Sequence, residues 1–247
     1  MAPSISSDTL LDTRSYYFIV ILAILLVLIG IVYQRKGKRG DTVLLVGPCG
    51  AGKTTLFLQL EKTAAGIGTV ASMQENIGMA MLPTGKEGRI KEVRLVDIPG
   101  HPRVFSRALS EHVDRARGIV FMVDSVDFMP QKEQIAEQLY DVLAHPVVNG
   151  RRLPVLLACN KSDCGTKAHT MDFIRKRLEK AIDQLRSTRL AISEDSRRNE
   201  VLGRADEAFS FAGLAKAHGA RLSVADLSAL EGEVGSVQQF IFGMMQS

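Results

Sequence analysis

The sequence has no Trp and only three Cys, and aromatic residues make up 6% of its 247 positions. Cys49, Cys159 and Cys164 are too few for a disulfide framework and fit no metal-ligand spacing, which agrees with a reducing compartment. Gly numbers 21 and Pro 8, so collagen-like and low-complexity classes are excluded. No internal repeat or biased stretch occurs after residue 40. A charge excess is also missing from most of the chain. Of 31 Lys/Arg and 27 Asp/Glu, five and two fall in the first 40 residues, which leaves 26 against 25 in the remainder. The net charge of +4 therefore sits mainly at the N-terminus. The near-neutral remainder lacks the basic footprint of nucleic-acid binding, so no direct nucleic-acid partner is expected.

One long apolar run is present. From Tyr16 to Tyr33 eighteen residues carry no charge. As a helix they would extend about 27 Å, close to the hydrocarbon thickness of the endoplasmic reticulum bilayer. Tyr16, Tyr17 and Tyr33 bracket the run as interfacial aromatics do. A cleaved signal peptide would begin with basic residues and end at a small-residue site, whereas this run follows a Ser-rich, mildly acidic segment and precedes QRKGKRG. The expectation is a transmembrane helix over 16–33 that contacts the lipid bilayer. Four basic residues follow it and only Arg14 precedes it, so residues 1–15 are expected in the lumen and everything after Gln34 in the cytosol. Residues 34–40 form a short basic linker to a domain at 41–247.

Within that domain short apolar runs alternate with helical patterns, which predicts an α/β fold with a mainly parallel six-stranded sheet flanked by helices. The expected strands are Thr42–Val46, Met79–Leu82, Val93–Ile98, Ile119–Val123, Leu153–Cys159 and Arg221–Ala225. Ile135, Leu139, Val142 and Leu143 form one helical stripe, and Ile174, Leu178, Ile182 and Leu185 another, with the neighbouring charges on solvated faces. Residues 187–219 break the alternation and read as a surface loop inserted before the last strand. His112, His145, His169 and His218 are scattered, and surface or packing roles are expected for them.

Three motifs carry chemistry. Gly47, Pro48, Cys49, Gly50, Ala51, Gly52, Lys53 and Thr54 match G-x-x-x-x-G-K-[ST], between an apolar strand and a helix that continues through Thr55. Such a P-loop wraps phosphate with backbone N–H groups; Lys53 supplies a cation to the β- and γ-phosphates and the Thr54 hydroxyl a Mg²⁺ ligand. Asp97-Ile-Pro-Gly100 ends the strand VRLVDI, where the carboxylate can hold Mg²⁺ through water and the Gly100 N–H can sense the γ-phosphate. Asn160-Lys161-Ser162-Asp163 ends a third apolar strand. The Asp163 carboxylate can accept the ring N–H and exocyclic amine of guanine, donors that adenine does not offer in that geometry, while the Lys161 stem lies along the base. This motif selects GTP over ATP and argues against a P-loop ATPase or nucleotide kinase.

In this order the motifs resemble the small GTPase superfamily of P-loop NTPases. With the N-terminal span and short linker, they resemble within it the family of signal recognition particle receptor beta subunits. Asp97, Pro99, Gly100 and His101 meet that family's DxPGH motif. The resemblance implies a nucleotide-contacting segment at Thr69, Val70, Ala71 and Ser72, with Ser72 as the preferred Mg²⁺ hydroxyl and Thr69 second. It places the base-contacting loop at Ser223–Asp226, with the Ala225 N–H facing the guanine carbonyl. It makes His101 a candidate for positioning the attacking water; the alternative for His101 is a cap on the helix that follows. Arg103 reads as a helix-surface residue, and without an arginine finger hydrolysis would be slow.

The cofactors implied are GTP and Mg²⁺. The implied partner is the N-terminal domain of the receptor's alpha subunit, recruited to the endoplasmic reticulum membrane in a GTP-dependent way. Signal recognition particle and the ribosome follow indirectly, in co-translational targeting. Residues 66–79 and 98–107 are the expected switch segments. The competing reading is an Arf/Sar-like turnover GTPase of vesicle traffic, against which the full span and the Met-Ala start argue.

Overall fold

The computed structural model describes residues 17–18, 20–25, 40–61, 73–83, 90–192, 202, 207–218 and 221–246. The chain divides into two compact units, Met1–Arg39 and Gly40–Ser247. In the first, residues 17–18 and 20–25 are helical, and Tyr17, Phe18, Ile21 and Ile24 are exposed. Among the described residues no helix is long and apolar enough to cross a membrane. Positions 16, 19 and 26–33 of the expected span lie outside the described residues.

In the second unit the chain runs β1 (Thr42–Val46), α1 (Lys53–Glu61), β2 (Asn76–Pro83), β3 (Ile90–Asp97), α2 (Pro102–His112) and β4 (Ala116–Asp124). It continues through α3 (Phe128–Ala144), α4 (Pro146–Arg151), β5 (Val155–Asn160), α5 (Met171–Ile192), α6 (Phe211–His218), β6 (Leu222–Asp226) and α7 (Gly235–Gln246). The six strands form one sheet in the order β2-β3-β1-β4-β5-β6, parallel except for the antiparallel edge strand β2. β1 and β5 are buried throughout, which explains why they read as unbroken apolar runs: both faces carry helices. Phe105, Leu109, Ile135, Leu139, Ile174 and Leu178, from α2, α3 and α5, pack on one face. Leu56, Phe57 and Leu60 of α1, with Val237 and Ile241 of α7, pack on the other.

The register fixes the functional edge. Leu45 lies opposite Asp97, Val46 opposite Phe121, Asp124 opposite Asn160, and Cys159 opposite Asp226. The carboxyl ends of the parallel strands therefore finish together. The loop after β1 emerges between β3 and β4, where connections leave to opposite sides and open a crevice.

The six expected strands all form, with ends shifted by a few residues. The expected surface loop at 187–219 is corrected for its described residues, with 193–201, 203–206 and 219 lying outside them. Residues up to Ile192 extend α5, and Phe211–His218 is helix α6. Leu202, Phe209, Phe211 and Leu214 are buried in the main core. Polar positions of α5 hold this chain in place. Arg186, 5% exposed, donates to the Leu202 and Glu207 carbonyls and to Asp183, which accepts the Phe209 N–H at 3.0 Å. Glu179 accepts the Phe211 N–H at 2.9 Å. The charges expected on a solvated face thus include groups that satisfy buried backbone. Phe209→Ala is expected to cost about 3 kcal/mol, the range for truncating a buried aromatic. Urea unfolding measures this, and an unchanged midpoint would make the segment a surface loop after all.

Candidate functional site

The loop from Gly47 to Thr54 joins the end of β1 to the start of α1. Lys53 is buried, and its ammonium donates to the Gly47 and Pro48 carbonyls at 2.9 and 2.8 Å. Burial lowers its pKa from the usual lysine value, while Asp97 and Cys49 pull the other way. A bound anion would favour the charged form of the same group. A helix start directs N–H groups outward along its axis, so loop and helix end together make an anion cradle. Gly52 has φ +86°, and a Cβ there would lie 2.2 Å from the Asn160 amide nitrogen. Neither the backbone conformation nor the space admits a side chain.

Forty-three residues beyond Thr54, Asp97 reaches the same spot. The Thr54 hydroxyl donates to Asp97 Oδ2 at 2.6 Å, and the Asn76 amide donates to that oxygen at 3.0 Å. Asp97 is 2% exposed. A hydroxyl and a carboxylate beside a phosphate-binding loop form an all-oxygen donor set of the kind Mg²⁺ takes, with water and phosphate completing it. Asn76 gave no signal in the sequence, because its partner is on the neighbouring strand. Thr69, Val70, Ala71 and Ser72 lie outside the described residues. His101 occupies the N-cap of α2, with Nδ1 accepting the Arg103 N–H at 3.3 Å. Arg103 is exposed on that helix.

The third motif closes the site from the other side. Asn160, 3% exposed, donates to the Ala51 carbonyl at 2.8 Å and accepts the Ala229 N–H at 2.9 Å. It thereby ties the phosphate loop to the loop after β6. Lys161 adopts the left-handed conformation, φ 67°, and its ammonium pairs with buried Asp124 at the end of β4. Asp124 also accepts the Val126 and Asp127 N–H groups at 2.9 and 3.2 Å, so the lysine stem is fixed on a rigid turn. Asp163 is exposed, and a hydrogen bond from Ser228 is the largest of the causes that lower its pKa from the usual carboxylate value. That carboxylate stays ionised and can accept two N–H donors of a flat ring.

Ala225 is a correction. It lies inside β6 opposite Ala158, so it is part of the sheet. The residues brought against Asn160 and Asp163 are Ser228 and Ala229.

The sheet order, the phosphate loop and the Asn-Lys-x-Asp corner define a small-GTPase-like α/β protein. The sequence pattern of the signal recognition particle receptor beta subunit matches residues 38–217. The human signal recognition particle receptor subunit beta is 32% identical over 203 residues, covering 79% of this chain and 73% of that protein. A solved structure of the mammalian receptor superposes with a TM-score of 0.69 at 28% identity, covering 82% of this chain and 99% of that one. The GDP-Mg form of the Chaetomium thermophilum receptor beta subunit shares the fold, with a TM-score of 0.59 at 21% identity over 84% of this chain and 98% of that one. The chain belongs to the signal recognition particle receptor beta subunit family.

Asn160→Ala would leave the Ala51 carbonyl and Ala229 amide buried without partners. The expected loss is about 3 kcal/mol of stability, from two groups at ~1–3 kcal/mol each. Urea unfolding checks it; a loss below ~0.5 kcal/mol would show that the two loops do not depend on the bridge.

Proposed function

We propose that this chain is a GTP-binding subunit of a signal recognition particle receptor, anchored in the endoplasmic reticulum membrane, which recruits the receptor alpha subunit in the triphosphate state. The observation that carries the reading is the corner made by Asp163, Ser228 and Asn160 beside the phosphate loop. Asp163 accepts the guanine ring N–H and amine, and Lys161, held by Asp124, covers the ring. Gly47, Pro48, Cys49, Gly50, Ala51, Gly52, Lys53, Thr54 and Thr55 bind the phosphates. Thr54 and Ser72 would hold Mg²⁺, with Asp97 acting through water, and the ion would supply positive charge to offset that of the phosphates.

Gly100 and the segment Thr69–Ser72 then hold one arrangement of the loops that a partner can distinguish from the other. His101 orients water only through the nitrogen that the cap leaves over, which fits slow hydrolysis and a binding output. Residues 16–33 form the anchor: the sequence carries an uncharged run there, and apolar side chains at 17, 18, 21 and 24 are exposed. The N-terminus is lumenal and the domain cytosolic, next to the alpha subunit's N-terminal domain. The family relationship favours this over an Arf/Sar-like coat GTPase.

The test uses the full chain in detergent with fluorescent nucleotides. GTP and GDP should bind and ATP should not. Asp163→Asn should lower guanine-nucleotide affinity by roughly 100-fold, since it removes a charge-assisted acceptor of two hydrogen bonds. Lys53→Ala should abolish both nucleotide binding and triphosphate-dependent capture of the alpha subunit. Equal affinity for ATP and GTP would rule the reading out.

A further inference from the structure

Helix α3 packs on the sheet through Ile135, Leu139, Val142 and Leu143, and Gln138 is buried among them at 4% exposure. Its Nε2 donates to the Gly100 carbonyl at 2.9 Å. Its Oε1 is enclosed and has no hydrogen-bond partner among the described residues. The orientation follows from chemistry, since a carbonyl can only be met by the NH₂ end of the amide. A leucine of similar size would complete the apolar face without leaving a buried oxygen unmatched. A buried amide matched at one end only is costly for mere packing. It is understandable if what it holds is functional.

What it holds is Gly100. A Cβ on Gly100 would lie 2.5 Å from the Gly47 oxygen and 2.6 Å from the Cys49 nitrogen, so the turn sits directly on the phosphate loop. The Gly47 and Pro48 carbonyls on which it sits are the ones that hold the Lys53 ammonium. Gly100 and Lys53 thus flank the same two peptide units, where the terminal phosphate of a triphosphate would lie.

We propose that Gln138 is a positioning residue for triphosphate recognition. By gripping the Gly100 carbonyl from α3, it keeps the Gly100 peptide against the phosphate loop, and it couples the position of α3 to the terminal phosphate. A diphosphate does not reach this turn, so the grip discriminates between the two nucleotides. This inference rests on the function proposed above and names a residue that acts on the switch without touching nucleotide.

The experiment measures affinities of the full chain in detergent for GDP and a non-hydrolysable GTP analogue, in wild type, Gln138→Leu and Gln138→Met. Both substitutions remove the donor to the Gly100 carbonyl; leucine keeps the volume and methionine the unbranched shape. In both variants triphosphate affinity should fall about tenfold, the scale of one hydrogen bond, while GDP affinity stays within about twofold. Retained GDP binding shows that the variants fold. A parallel loss of both affinities, or an unchanged ratio, would overturn the inference and leave the proposed function intact. A wild-type chain that binds neither nucleotide would overturn both.

Discussion

Asn160 is the joint on which the site depends. Its amide uses both ends, one on the Ala51 carbonyl in the phosphate loop and one on the Ala229 N–H after β6. A flat ligand with a phosphate tail needs its two ends recognised at a fixed separation, and the two recognising loops come from opposite sides of the crevice. Without the bridge each loop would have to be ordered by the ligand itself, and the ordering cost would come out of affinity. The bridge also explains why residue 52 must be glycine, since the Asn160 nitrogen occupies the place where its Cβ would stand.

A second layer of contacts makes the joint rigid. Asp124 fixes Lys161, Ser228 fixes Asp163, and Asn76 and Thr54 share one oxygen of Asp97. Apart from Thr54, in the first turn of α1, these donors and acceptors stand at or just beyond the carboxyl end of a strand, or at the start of the antiparallel edge strand. The sheet register thus supplies the precision, and the loops need only present single residues. The same logic places Gly100 between the phosphate loop and Gln138.

Much of this was legible from the sequence. Apolar runs gave the six strands because a doubly covered sheet buries both faces of its central strands. The P-loop, Asp97-x-x-Gly100 and Asn160-Lys161-x-Asp163 were readable because their spacing along the chain is local. What was not readable depends on partners far apart in sequence. Asn76 and Asp124 carry no local pattern. Ala225 was assigned a base-contacting role from the likeness of Ser223–Asp226 to the base-contacting loop of the family; all four residues lie in β6, and the loop begins after them. Residues 187–219 looked like a loop because they break the apolar alternation with a polar run, and the hydrogen bonds from Glu179, Asp183 and Arg186 to residues further along the chain leave no local pattern. His101 had two readings, and the structure places it at the helix cap while leaving one ring nitrogen for other work.

The central claim is that the terminal phosphate changes the arrangement of the turn around Gly100 on an otherwise fixed frame. Amide hydrogen exchange of the full chain, compared between GDP and a non-hydrolysable GTP analogue, tests it most directly. The account predicts stronger protection with the triphosphate across peptides covering 98–107, and equal protection in β1, β4 and β5. Identical exchange in 98–107 with either nucleotide bound would contradict it.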